Sequence, residues 1–137
     1  MIRPIMKMQV FLQQPCADAG ASDLAIAQDL VDTLKIHRPA CVGMAANMIG
    51  KRKRIIAVVD DDNQILVMLN PYLIHWWGEY ETKEGCLSLE GLRPAKRYKR
   101  IQVGYEDTLL RSCMGEFTGR TAQAIQHEID HTNGILI

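Results

Sequence analysis

The sequence predicts an α+β fold in which antiparallel strands lie between two long helices. A helical pattern occupies residues 22–37, apolar and β-branched runs fill the middle of the chain, and a second helical pattern covers 118–133. Tight turns separate the strand-like runs, and this order argues against repeated βαβ units. The chain has 137 residues, 47% of them hydrophobic, which suits one domain over residues 1–137.

The first long helix is expected to run from Ser22, a residue type that caps helix N-termini, to about His37. Pro39 follows and cannot continue a helix. The apolar residues of this segment recur at helical spacing: Leu24, Ala27, Leu30, Val31 and Leu34. We interpret the segment as a scaffold helix.

The strand prediction rests on two apolar, β-branched runs, RIIAVVD (54–60) and QILVMLNP (64–71). Asp61, Asp62 and Asn63 separate them, so the two runs should form a hairpin of well-buried strands. Two further strands are predicted at IHWWGEYE (74–81) and RIQVGYED (100–107).

The C-terminal helix is predicted from about Thr118 to Asn133, and Gly134 lies where a helix end takes a left-handed residue. At about 100° per residue, its apolar side chains and its histidines fall on different sides. One side carries Ala122, Ile125 and Ile129, and the opposite side carries His127 and His131. We therefore expect one side to pack and the other to present two imidazoles.

The overall charge excludes several classes of partner. Sixteen basic and sixteen acidic residues give a formal charge of zero, so nothing indicates binding to nucleic acid or to an anionic membrane surface. The apolar N-terminus, MIRPIMKMQVFL, is interrupted by Arg3 and Lys7, is too short to span a bilayer and lacks a clear cleavage site. We expect a cytoplasmic protein whose partner is a small molecule or a peptide.

The two histidines of the last helix predict a metal site. His127 and His131 are one turn apart and can bind one ion, while Glu128, directly after the first histidine, can reach a metal-bound water without being a ligand. The alternative is a solvated helix face that carries two histidines by chance. The complete His-Glu-x-x-His pattern favours the metal site.

A third ligand is needed, and Cys86 is the strongest candidate. It lies in EGCLS (84–88), after a strand, and a thiolate suits iron, zinc or cobalt. In a reducing cytosol the four cysteines are not expected to form disulfides. Two of them, Cys16 and Cys113, are interpreted as structural. The isolated histidines His37 and His75 are rival ligands that packing or surface exposure explains more simply.

Three segments resemble motifs of the peptide deformylase family, whose members remove the formyl group from the N-terminal methionine of newly made bacterial proteins. EGCLS (84–88) and QHEIDH (126–131) match two family motifs in full, and CVGMAANM (41–48) corresponds to the family segment G-φ-G-φ-A-A-x-Q. The similarity also includes the N-terminal helix, Asn70-Pro71, Gly119, Ala122 and Gly134, and so covers most of the chain.

The resemblance implies a metal-dependent hydrolase with a deformylase-like fold. It implies Cys86, His127 and His131 as the ligands of one divalent ion. That ion would be Fe²⁺ in the cell, with Zn²⁺, Ni²⁺ or Co²⁺ able to replace it, because the ligand types alone do not fix the metal.

The resemblance also implies roles for residues around the metal. Glu128 would be the general acid and base, the Leu87 backbone N–H would donate to the oxyanion, and Val42 and Gly43 would line the peptide-binding edge. The implied substrates are N-formyl-methionyl peptides of nascent chains, which suggests association with the ribosome.

The first motif departs from the family pattern at two positions. Met48 stands where the family has a glutamine whose N–H stabilises the oxyanion, and Cys41 stands where it has a glycine. Loss of one oxyanion hydrogen bond costs roughly 10²- to 10³-fold in kcat in other hydrolases. A cysteine narrows the options for a positive φ or a close approach, and it could crowd Cys86 or the metal. Met48 could equally be a core residue.

Three functions are therefore open. The first is a working deformylase with a divergent oxyanion hole and reduced activity. The second is a deformylase-like paralogue that keeps the fold and the metal but has weak or no activity. Asn47 or Met48 is the residue that distinguishes the first function from the second. The third is a zincin-like metalloprotease, which is disfavoured because only Asn133 could serve as a ligand after His131.

Overall fold

The computed structural model describes all 137 residues and has the predicted α+β architecture. Five antiparallel strands form one sheet, in the order β1-β2-β3-β4-β5, so that each strand pairs with the next along the chain. The strands are β1 (Gly43–Ala45), β2 (Ile55–Val59), β3 (Ile65–Cys86), β4 (Leu89–Glu106) and β5 (Ser112–Thr118). The α-helices are α1 (Gln9–Leu12), α2 (Leu24–His37) and α3 (Gly119–Thr132).

The sheet separates two apolar clusters, one with α2 and one with α3. Strand β2 contributes to both: Ile55 and Ala57 belong to the cluster with α2, and Ile56 and Val58 belong to the cluster with α3. A strand buried on both faces needs apolar residues at every position, which explains the uninterrupted run IIAVV. The predicted hairpin from β2 to β3 is confirmed, and Asn63 takes a positive φ of 62° in its turn.

The predictions of separate strands at 64–71 and 74–81 were wrong, because both segments belong to β3. Asn70 has a φ of 52°, and the pairing register shifts between Leu69 and Tyr72. The Asn70 side chain holds this bend by accepting from Ala19 N–H at 2.7 Å and donating to Ala19 O at 2.9 Å. The Asn-Pro pair therefore marks an irregularity within a strand, where a proline is tolerated, and not a turn between strands.

The strand predicted at 100–107 is the second half of β4, which begins at Leu89. Two strands were not predicted from the sequence, namely the three-residue β1 and the exposed β5. Strand β1 is too short to show a period, and β5 alternates exposed and half-buried residues without a strong apolar pattern.

The N-terminal helix ends at His37 as predicted, but Ser22 is not its cap. Ser22 lies within a single 3₁₀ turn, Ala21–Asp23, and the α-helix begins at Leu24. Asp23 is the N-cap residue of α2 but its side chain does not cap this helix; its carboxylate instead accepts from Gly20 N–H at 2.9 Å, at the start of the 3₁₀ turn.

Helix α3 confirms the predicted C-terminal helix, with Thr118 and Asn133 as its caps and Gly134 at a φ of 76°. A Cβ at Gly134 would also lie 2.3 Å from Gln13 O, so both the dihedral angle and the close approach require glycine here. The helix is buried on nearly all sides, and its histidines face the protein interior. None of the α-helices has the length and hydropathy that a membrane-spanning helix requires.

Candidate active site

The last residue of β3 and two residues of α3 bring three donor atoms together. Cys86 Sγ lies 3.4 Å from His131 Nε2, and His131 Nε2 lies 3.1 Å from His127 Nε2. The donor atoms of the three side chains all lie within 4.8 Å of one another. The predicted grouping of one cysteine with two histidines one helical turn apart is therefore present in the fold.

These separations fit a small divalent ion. Tetrahedral bonds of about 2.0–2.3 Å to nitrogen and sulfur place neighbouring ligand atoms roughly 3.3–3.8 Å apart, close to the two measured distances. Burial, followed by the charge of His127, lowers the pKa of His131 to about 3, which leaves a neutral imidazole. A Cys/His/His triad of this kind is consistent with a divalent metal.

The rival ligands lie elsewhere. His75 stacks in a tilted arrangement against Trp77, with ring centroids 5.8 Å apart, and His37 ends α2. All four cysteines are free, and Cys86 alone joins the donor group. Cys16 and Cys113 are half-buried outside it.

The orientation of His127 is set by a carboxylate that the sequence did not single out. His127 Nδ1 lies 2.8 Å from Glu84 Oε1, so its Nε2 faces the other two donor atoms. Glu84 is held in turn by Arg97, whose Nη2 donates to Oε1 at 2.7 Å, and by Gln123, whose Nε2 donates to Oε2 at 2.8 Å. Arg97 also pairs with Asp130 at 2.8 Å.

This network keeps Glu84 ionised in a buried position. Burial opposes its charge, but hydrogen bonds from His127, Arg97 and Gln123 outweigh that cost and lower the pKa of Glu84 to about 2. Burial likewise opposes a positive charge on His127, yet the charge of Glu128 and hydrogen bonds with Cys86 and Glu84 raise its pKa. The surroundings of His127 therefore favour a positive charge at this position.

Helix α3 is fixed to the sheet directly beside the histidines. Gln126 forms two reciprocal hydrogen bonds with the backbone of Tyr98 on β4: Tyr98 N–H donates to Oε1 at 2.9 Å, and Nε2 donates to Tyr98 O at 2.9 Å. A displacement of the helix would break both bonds. The first residue of QHEIDH thus has a structural role.

Glu128 lies next to the triad but outside it. Its side chain is buried, and Oε1 has no hydrogen-bond partner within the chain. Burial raises the pKa of Glu128 to about 7, against the opposing effect of His127. A carboxyl group with a pKa near the working pH suits proton transfer in both directions.

A cavity of about 450 Å³ opens beside these groups. Its walls come from the loop before β1, from β1, from the β3–β4 turn and from α3, and include Ala40, Cys41, Val42, Gly43, Met48, Lys83, Glu84, Gly85, Cys86, Leu87, Arg120, Gln123, Ala124, His127 and Glu128. The residues that the resemblance assigned to the metal, to catalysis and to the peptide-binding edge line this cavity, apart from His131, which is fully buried.

Comparison with known proteins connects this geometry to a family. The family model described as polypeptide deformylase matches residues 2–137. The chain belongs to the polypeptide deformylase family. A peptide deformylase from Clostridium beijerinckii is 47% identical over 137 residues, covering 100% of both chains. The match is thus not confined to the motifs.

Solved deformylase structures share the fold. The crystal structure of peptide deformylase from Thermus thermophilus aligns with a TM-score of 0.86 at 31% identity, covering 99% of this chain and 83% of that one. A class I type b peptide deformylase from Acinetobacter baumannii with Met-Ala-Ser bound aligns with a TM-score of 0.88 at 27% identity, covering 99% and 97%. The α+β prediction is confirmed by these deformylase folds.

Both residues that depart from the deformylase motif at 41–48, Cys41 and Met48, line the cavity. Cys41 does not take a positive φ, and its thiol donates to Gly43 O at 3.0 Å within its own loop. Burial raises the pKa of this thiol to about 11, so it stays protonated at neutral pH. The backbone accommodates cysteine at this position, and the thiol is directed to the loop instead of to the donor group.

Met48 is a core residue that also faces the cavity, so both interpretations made from the sequence apply to it. Its side chain is 1% exposed, packs in the apolar cluster with α2 and also lines the cavity. Ala45 N–H donates to Met48 Sδ at 3.5 Å. The neighbouring Asn47 donates to His131 O at 2.9 Å and so ties this loop to the end of α3.

Gly43 allows β1 to approach the catalytic glutamate candidate. A Cβ at this position would lie 2.8 Å from Glu128 Oε2 and 3.3 Å from Val58 Cγ1. We therefore expect Gly43→Ala to displace the Glu128 carboxylate and to lower kcat by roughly 10- to 100-fold, since a misplacement of about 1 Å can cost that much. Steady-state deformylation kinetics provide the measurement.

Gly20→Ala is the matched control, because a Cβ there meets nothing within 4 Å. Its activity should equal that of the parent. If Gly43→Ala retained the parent kcat, Glu128 would have room to move without consequence, and the close packing of β1 against it would have no catalytic meaning.

Proposed function

We propose that this chain removes the formyl group from the N-terminal methionine of nascent polypeptides, using one divalent metal ion held by Cys86, His127 and His131. The observation that supports this most directly is that a thiol, two imidazole nitrogens and a buried carboxyl group lie together beside one cavity. Fe²⁺ is the proposed ion in the cell, with Zn²⁺, Ni²⁺ or Co²⁺ able to replace it. When bound, such an ion supplies Lewis acidity that lets water attack at neutral pH.

Glu128 is the proposed proton carrier. It accepts a proton from the water that attacks the formyl carbon, and it returns a proton to the amine nitrogen as the C–N bond breaks. The products are formate and a peptide with a free N-terminus. Its burial and its pKa near 7 support both halves of this transfer.

The Leu87 backbone N–H is the proposed donor to the oxygen that becomes negatively charged. Leu87 lies in the β3–β4 turn, on the cavity, directly after Cys86. Its N–H has no acceptor among the hydrogen bonds of the chain, so it is available to a substrate. Backbone donors of this kind are preorganised because the turn fixes their direction.

Val42 and Gly43 are proposed to bind the peptide backbone. Strand β1 is an edge of the sheet, and the preceding Val42 is 42% exposed, so one side of this segment is open to an added strand. Pairing of an extended peptide with an open sheet edge is a common mode of recognition. It would direct the formylated end of the substrate toward the donor group.

A continuous assay on a formyl-methionyl tripeptide, with Fe²⁺ loaded anaerobically, tests this function. Turnover that requires the metal supports it. The association with ribosomes proposed from the family would be tested separately by co-sedimentation. Absence of turnover in a folded protein with one metal per chain would favour a second candidate: a deformylase fold kept for binding, with weak or no activity. Met48 is the observation that favours this alternative.

Met48→Gln is expected to raise kcat by roughly 10- to 1,000-fold with little change in KM, because it adds a donor that acts only when the oxyanion forms. The gain falls at the lower end if Leu87 N–H already stabilises most of the charge. A buried amide without partners costs roughly 1–3 kcal/mol, so thermal unfolding should be measured beside the kinetics.

Cys41 can limit this gain, because it lies on the same loop and bonds to Gly43 O. The double variant Met48→Gln with Cys41→Gly tests that coupling, since neighbouring groups need not contribute additively. If neither variant deformylates faster, with folding and metal content unchanged, then a missing donor is not what limits the reaction.

A further inference from the structure

Arg120 lies in the first turn of α3, on the same side of the helix as the metal-site histidines. It precedes His127 by seven residues, and Gln123 and Ala124 lie between them at helical spacing. All four residues line the cavity. The helix therefore carries one continuous stripe from an exposed arginine at its N-terminal end to the imidazole of His127.

Arg120 has no partner within the protein. Its side chain forms no hydrogen bond and no ion pair, whereas Arg97, the other arginine near the site, pairs with both Glu84 and Asp130. The carboxylates of the cavity are not available to it. Glu84 is occupied by Arg97, His127 and Gln123, and Glu128 is buried beside the donor group.

A second cation, Lys83, lines the cavity from the end of β3 and also forms no ion pair. Lys83 precedes Cys86 by three residues. The cavity rim thus carries two positive charges, one on the helix and one on the strand, that nothing in the chain neutralises. A cavity rim with two unpaired positive charges favours substrates that carry negative charge.

The distance from the reacting group defines which part of a peptide these charges can meet. Seven residues of α-helix separate Arg120 from His127 by roughly 10 Å along the axis, and three residues of strand separate Lys83 from Cys86 by a similar length. An extended peptide covers about 3.3–3.6 Å per residue, so this span corresponds to about three residues. The two residues that follow the formylated methionine therefore come within reach of the cations.

We propose that Arg120, assisted by Lys83, selects formylated peptides that carry an aspartate or glutamate in the first two positions after the methionine. This proposal rests on the proposed deformylation and names the substrates that the site prefers. A guanidinium can hold a carboxylate through two parallel hydrogen bonds, which gives Arg120 the larger share of the preference. Both cations act on specificity and touch no reacting atom.

The test compares kcat/KM for peptides of the form formyl-Met-Xaa-Ser and formyl-Met-Ala-Xaa, each amidated at the C-terminus, with aspartate, asparagine or lysine at Xaa. Amidation removes the terminal carboxylate, which Arg120 could bind equally well. In at least one series we expect aspartate to exceed asparagine by about three- to tenfold, the range that one or two exposed ion pairs provide. The ratio should fall toward one at high salt.

Substitutions of Arg120 and Lys83 test whether these residues cause the preference for aspartate. Arg120→Gln, on an exposed helix position where glutamine is a good helix former, should remove most of the preference for aspartate, and adding Lys83→Gln should bring the ratio to about one. Arg120→Glu should reverse the order in favour of the lysine peptide. Lys35→Gln removes the same charge at an exposed position of α2, away from the cavity, and should keep the parent ratio of kcat/KM for aspartate over asparagine peptides.

Equal ratios in the parent and in Arg120→Gln would overturn the proposal, as would a parent that is active on the asparagine peptides and shows no preference. A preference confined to peptides with a free C-terminus would also overturn it, because the arginine would then bind the terminal carboxylate. Inactivity toward every formylated peptide would overturn the deformylase proposal as well, so the two failures differ.

Discussion

Glu128→Ala is expected to give a folded, metal-loaded protein whose kcat is lower by about 10²- to 10⁴-fold, the usual contribution of a positioned acid or base. The three donor atoms come from other residues, so the metal should remain. The reaction needs a group that takes a proton from water and later gives one to the amine. Glu128 is the one carboxyl group on the cavity that is not already engaged in an ion pair.

Glu128→Gln sharpens this test because it keeps the shape of the side chain and removes only the proton chemistry. The amide is as unpaired as the carboxyl oxygen that it replaces, but it carries no charge to bury, so we expect the thermal unfolding midpoint of this variant to be close to that of the parent. A loss of activity with unchanged metal content and stability would separate catalysis from folding.

Glu90→Gln, at an exposed position of β4, removes the same charge away from the cavity and serves as the control. It should retain the parent kcat and metal content. Deformylation by Glu128→Gln at close to the parent rate would rule out the acid and base role and would require another group to carry the proton.

The part of the site that the sequence could predict is the local part. His127 and His131 share a helix, so the period of 3.6 residues alone places their rings together. The C-terminal helix was found to within one residue at each end, because its start and its Gly134 follow general rules for helix termini. Cys86 could be named as a candidate from its residue type and its position after a strand, but only the fold brings it to His127, 41 positions away in sequence.

The network behind His127 could not be predicted, because it depends on strand pairing. Glu84 and Arg97 lie 13 residues apart on β3 and β4, and they meet only because the register of the hairpin brings their side chains to the same face. Arg97 belongs to the run KRYKR, which resembles an ordinary solvated segment. A one-residue slip in register would have placed its charge on the other face.

The close approach of Gly43 to Glu128 could not be predicted from the sequence either. These residues are 85 positions apart, and β1, with three residues, is too short to show a period. The motif match named Gly43 as part of the peptide-binding edge, whereas the structure adds a steric reason for glycine there. Sequence patterns thus named candidate residues, and only the fold shows which atoms lie too close to them for a larger side chain.

Cys86→Ser and His127→Ala are each expected to lose the metal and the activity together. Three ligands hold the ion in the proposed site, and the removal of one leaves only two, fewer than metal sites in proteins usually have. Elemental analysis should fall from one ion per chain to a small fraction. A metal that binds only the folded state stabilises it by roughly 4 kcal/mol at 1,000 times its Kd, so a chelator should lower the unfolding midpoint of the parent.

The same chelator should leave the unfolding midpoint of Cys86→Ser unchanged, which gives a readout that does not depend on activity. Cys113→Ser is the matched control, because Cys113 is also a free, half-buried cysteine, lies on β5 and is not part of the donor group. It should bind one ion, respond to the chelator and deformylate like the parent. One firmly bound ion per chain in both Cys86→Ser and His127→Ala would show that the metal lies elsewhere, and the reaction would then have to be assigned to another group of side chains.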